Sequence, residues 1–212
     1  MRPLLLTLVL FAAPALAAPG IEEAVAAYEI GHLPKARSAF TRLSRAGVPA
    51  ADYNLAVMHL RGDLPQANPR EALRLMTRAA KAGFVTALYG LGQLHELGQG
   101  GLSVNLVEAQ RWYLRAAQAG SVDGQVAVAT AHYLGRGAPK DAALAARWYR
   151  IAAQGGDIGA MYLYASMAES GDGVERDLKE ARYWYGVAAR NGDEAAPSKL
   201  IELDAKLGAP KT

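Results

Sequence analysis

Trp148-Tyr149-Arg150-Ile151-Ala152-Ala153-Gln154-Gly155-Gly156 decides the fold, because variants of this string recur along the chain. Trp112-Tyr113 leads to Ala116-Ala117-Gln118-Ala119-Gly120, and Trp184-Tyr185 leads to Ala188-Ala189-Arg190-Asn191-Gly192. A first version, Ala79-Ala80-Lys81-Ala82-Gly83, has Leu75-Met76 in place of Trp-Tyr. The closing glycines are 37, 36 and 36 residues apart, and eleven residues before each stands Ala72, Ala109, Ala145 or Ala181. Self-similarity at such a period marks a stacked array, in which each unit buries its apolar face only against its neighbours.

Each string reads as a helix with both ends marked. Asn68, Asn105, Asp141 and Asp177 stand four residues before those alanines, where a side-chain oxygen accepts from free N–H groups. Pro69 occupies a first helical position, where its missing donor costs least. The closing glycine suits the left-handed residue that ends a helix. In between, the Ala, Trp or Leu, and Ala-Ala positions fall at i, i+3, i+7 and i+8, one helical face. A partner helix precedes each, with Leu55-Ala56, Leu91-Gly92, Val128-Ala129 and Tyr164-Ala165 in one register and ends near Gly62, Gly98, Gly135 and Gly171. The small second residue of each pair predicts close approach to the alanines of the following helix.

This pattern resembles the Sel-one-like repeat family, a relative of the tetratricopeptide repeats, and Gly159–Gly192 matches its string most fully. Four units are expected at 48–83, 84–120, 121–156 and 157–192, with a capping helix pair at 18–47 and a closing helix and tail at 193–212. The fold class expected is all-α, a right-handed α-solenoid of stacked helix pairs. Two departures stand out: His59, His95, His132 and then Ala168 replace the family's tyrosine, and Leu64-Pro65 replaces Gly-Val in the first turn.

Arg2, the apolar run Leu4–Phe11 and Ala15-Leu16-Ala17 read as a signal peptide over residues 1–17. The expected location is the periplasm or the exterior after cleavage before Ala18. The 212 residues carry a net charge of +3, and loss of Arg2 leaves +2, too little surplus to imply a nucleic-acid partner. The absence of cysteine excludes disulfides, thiolate zinc sites and a cysteine nucleophile. No Ser-x-x-Lys, Gly-x-Ser-x-Gly, His-Glu-x-x-His or phosphate-loop motif occurs, so no catalytic residue is assigned. His59, His95 and His132 are a ladder on successive repeats. Helices about 8–10 Å apart cannot bring three of them to one ion, so no metal and no cofactor is expected.

In tetratricopeptide-like arrays the first helix of each pair lines the concave surface. Alignment with that family places Tyr53, Tyr89, Val126 and Tyr162 toward it. Val57, Gln93, Thr130 and Ser166 follow one turn later, and then Leu60, Glu96, Tyr133 and Glu169. The expected partner-binding residues are Tyr53, Tyr89, Gln93, Glu96, Thr130, Tyr133, Tyr162, Ser166 and Glu169, since tyrosine joins apolar area to a hydroxyl at low entropic cost. A second column, Arg74, Arg111 and Arg147, lies on the outer helices as a solvated face. The resemblance implies an exported, non-catalytic scaffold or adaptor that binds protein partners of the bacterial cell envelope. The alternatives are a hydrolase acting on β-lactam or cell-wall substrates, as attributed to cysteine-rich relatives, and a periplasmic regulator masking a membrane sensor domain.

Overall fold

The computed structural model describes residues 20–208, so the expected signal peptide at 1–17 lies outside the described residues. These residues form eleven helices and no strand. They are α1 (Ile21–Glu29), α2 (Leu33–Arg45), α3 (Pro49–Arg61), α4 (Pro69–Lys81), α5 (Val85–Leu97), α6 (Leu106–Gln118), α7 (Val122–Leu134), α8 (Ala142–Gln154), α9 (Ile158–Ser170), α10 (Leu178–Arg190) and α11 (Ala196–Leu207). The chain divides into two compact units within α6, between Trp112 and Tyr113. In the first, α1 packs on α2, α2 on α3, α3 on α4 and α4 on α5. In the second, α7 packs on α8, α8 on α9, α9 on α10 and α10 on α11.

The polar caps do what their spacing predicts. The Asn68 side chain accepts from the N–H groups of Arg70 and Glu71, Asn105 from Glu108, Asp141 from Leu144, and Asp177 from Lys179 and Glu180. A cap of this kind contributes about 1 kcal/mol to its helix. The first helices end on Gly62, Gly98, Gly135 and Gly171, all at positive φ, as the left-handed cap requires.

Alanine sets the helix spacing. Ala56, Ala129 and Ala165 on the first helices have no exposed surface, and neither do Ala72, Ala79, Ala145, Ala152, Ala181 and Ala188 on the second. A larger side chain there would push paired helices apart. Of each Trp-Tyr pair the tyrosine is the deeper residue. Tyr149 and Tyr185 are buried, whereas Trp148 is only partly buried and packs at the edge of the core.

Two features fix the turns. The cap residue of each second helix donates its N–H back to the first, from Asn105 to the His95 carbonyl (2.8 Å), Asp141 to His132 (2.9 Å) and Asp177 to Ala168 (2.9 Å). In the first repeat Asn68 instead donates to the His59 ring at Nδ1 (3.2 Å). Gly173, at φ +71°, lies against the start of α8, so a Cβ there would stand 2.2 Å from the Ala142 carbonyl oxygen. Only glycine fits that contact.

Candidate functional site

The expected partner stripe divides according to what covers it. In the first repeat Tyr53 is 1% exposed, and its ring lies 5.5 Å from that of Phe84. Tyr53 is therefore an interior residue, which corrects its place among the expected surface positions. The reason is local. Phe84 precedes α5 where Ser121, Asp157 and Asp193 precede the later first helices and α11, and those three cap the N–H groups of Gly124, Ala160 and Ala196. A phenyl ring in place of a polar cap closes over Tyr53. Burial pushes the Tyr53 hydroxyl well above its ordinary range.

The next first helix in the same unit, α5, keeps Tyr89, Gln93 and Glu96 half-buried on successive turns. Gln93 has a buried side-chain oxygen with no hydrogen-bond partner among the described residues. A buried acceptor left unpaired costs about 1–3 kcal/mol.

In the second unit the stripe becomes a row of hydroxyls. Thr130 Oγ1 is 2.9 Å from the Tyr149 hydroxyl. One repeat later, Ser166 and Tyr185 hold the same register, and the Tyr185 hydroxyl donates to Glu169 (3.2 Å). The ring of Tyr162 stands edge-on to Tyr185, with centroids 5.1 Å apart. Burial raises the Tyr149 and Tyr185 hydroxyls, so both remain protonated throughout the physiological range. The Asp172 charge, then burial, raises Tyr133. Tyr149 and Tyr185 are absent from the expected stripe, although the recurring Trp-Tyr pair is the signal that locates them.

Glu169 is engaged from within. Its carboxylate accepts from Lys206 (3.0 Å) and pairs with Lys199 (3.5 Å), both on α11, leaving its side chain 14% exposed. Burial alone would raise this carboxyl. The Lys206 bond, the Lys199 charge and the Tyr185 hydroxyl outweigh it and hold the group below its ordinary value. Glu169 thus anchors the closing helix, and the accessible part of the stripe here is Thr130, Tyr133, Tyr162 and Ser166, all half-buried. In the arginine column, Arg74 is chelated by Glu71 (2.7 and 2.8 Å) and Arg111 pairs with Glu108 (3.0 Å). No group of three metal-binding side chains occurs among the described residues, and no helix there is long and apolar enough to cross a membrane.

The Sel1 repeat family model matches residues 49–84, 85–121, 122–157 and 158–193. The comparison with curated proteins found no match. Among solved structures, the chain is similar to a protective antigen present in uropathogenic Escherichia coli strains, which displays an SLR fold. The identity is 25% and the TM-score 0.82, over 91% of this chain and 42% of that one. It is also similar to a Sel1 repeat protein from Oxalobacter formigenes, with 31% identity and a TM-score of 0.76 over 80% of this chain and 49% of that one. The chain spans less than half the length of either. Four matched segments in register with the observed helix pairs establish that the chain belongs to the Sel1 repeat family, whose members are in general protein-interaction scaffolds.

Proposed function

We propose that this protein is an exported, non-catalytic scaffold of the bacterial cell envelope that holds protein segments on the exposed faces of its first helices. One observation carries the choice of surface: Gln93 keeps an unpartnered buried oxygen one turn from the half-buried Tyr89. An aromatic anchor beside an unfilled acceptor suits a peptide, which brings both side chains and backbone N–H groups. The second unit supports the same reading, with Tyr133 and Tyr162 as amphipathic surface flanked by the Thr130 and Ser166 hydroxyls. Arg2, the apolar run and Ala15-Leu16-Ala17 support export.

Crosslinking of intact cells followed by mass spectrometry of the captured proteins tests the proposal. Envelope proteins should be recovered, and the double substitution Tyr89→Ala, Tyr162→Ala should weaken their binding about 10-fold or more, as loss of an interface anchor does. Arg111→Ser with Arg147→Ser should alter mainly the salt dependence. Capture of cytosolic proteins alone overturns the location, and full binding by a correctly folded tyrosine variant overturns the surface.

A further inference from the structure

The first unit contains a hollow of about 320 Å³ between α2, α3 and α4, away from the first-helix tyrosines, and its walls are basic. Arg37 and Arg45 face it from α2, and Arg74 and Arg78 from α4, against the single carboxylate of Glu71. Two of the four guanidiniums are already satisfied. Arg74 is chelated by Glu71, and Arg78 is bound to the buried Asp52 and to the Ser44 hydroxyl. Arg37 and Arg45 have no hydrogen bond or ion pair among the described residues. They sit eight residues apart, on one face of a helix that contains no acidic residue. Thr41 lies between them, and Ser44, which accepts from Arg78, still has its own proton to donate.

We propose that this hollow binds a phosphate monoester. Its lining arginines exceed the neighbouring carboxylates of Glu71 and Asp52 by two charges, which a compact dianion balances. Guanidinium forks match the oxygens of a phosphate in pairs, and the two hydroxyls supply further donors. The volume is that of a small-molecule site. His59 lines the hollow, where burial and then the Arg37 charge outweigh the opposing Glu71 charge and lower its affinity for a proton, so a bound dianion would raise it. The proposal does not rest on the scaffold reading, because none of these residues belongs to the tyrosine faces.

Isothermal titration of the full chain at constant ionic strength provides the test, with glycerol 1-phosphate, an aspartate-rich peptide, and vesicles of phosphatidic acid or of phosphatidylcholine as probes. Saturable binding of glycerol 1-phosphate identifies a soluble ester as ligand. Binding of phosphatidic acid vesicles alone identifies the same group on a lipid. In either case Arg37→Gln with Arg45→Gln should reduce affinity about 10-fold or more at unchanged helicity. Arg37→Lys with Arg45→Lys, which keeps the charge and removes the fork, should reduce it about 3-fold and decides the matter if the glutamine variant is poorly folded. The proposal is overturned if neither phosphate probe binds, if only the aspartate-rich peptide binds, or if the folded variants retain full affinity.

Discussion

The first and fourth repeats share a backbone register and use it differently. In the first, Val57 and Met76 are fully buried apolar residues, Tyr53 lies under Phe84, and Leu64 is buried in the turn. In the fourth, Ser166 and Tyr185 replace that apolar pair, Tyr162 stays half-buried, and Gly173 replaces the leucine. The first repeat is also tied to the capping pair, since Tyr28 of α1 donates to Asp63 beside the turn (2.5 Å). A repeat is therefore a frame of caps and alanines that tolerates either an apolar or a hydroxyl-bearing interior. In the first repeat it is the added ring of Phe84 that closes over Tyr53.

The sharpest way to break this comparison is at the turn. Gly173→Ala puts a methyl group into the Ala142 carbonyl at a positive φ, and should cost about 3 kcal/mol or more in thermal or denaturant unfolding. Gly100→Ala, whose Cβ would meet its nearest atoms at 3.6 Å, should cost only the backbone term of about 1 kcal/mol. Equal losses would mean that the Gly173 contact is not made. A smaller effect should follow Tyr185→Phe, which removes a buried hydroxyl bonded to an ionised carboxylate and should cost about 1–2 kcal/mol. A loss below about 0.5 kcal/mol would erase the contrast with the apolar first repeat.

The smallest effect expected is with pH. Glu169 is held below its ordinary value of 4.5, so its stabilisation of α11 is fully present above that value and is lost as pH falls through the depressed folded one. Amide exchange in α11, corrected for its intrinsic pH dependence, should therefore accelerate in acid. The α3 amides, with Leu60 at the equivalent register, should not follow the titration of this group. Parallel behaviour of the two helices would show that the Lys199 and Lys206 pairs do not hold α11 in place.

Much of the fold is legible in the residues because its determinants are local. Asn68, Asn105, Asp141 and Asp177 lie within a turn of the N–H groups they cap, and the glycines act at their own positions. The closing helix is expected within 193–212, and α11 spans Ala196–Leu207. What a single stretch does not show is covering by distant residues. Tyr53 looks like Tyr89 and Tyr162 until Phe84 is placed over it, and Glu169 looks free until the lysines of α11 reach it. The basic hollow has the same character, since its walls come from helices separated by the whole of α3. Its one local sign is Arg37, Thr41 and Arg45 at i, i+4 and i+8 on an acid-free helix.

The turn glycines also bear on how such a chain can change its length. Gly173 rests on the start of α8, and Gly100 makes the equivalent contact at Leu73 and Pro69 of α4, so in both places a turn touches the second helix of the preceding repeat. An exchange between two equivalent points of this gene, adding or deleting one whole unit, would place another such glycine against another such helix start and leave the seam intact. An insertion one residue short would rotate the next helix by about 100° and turn its alanines away from their partners. Growth by whole units is the kind of change that this junction permits.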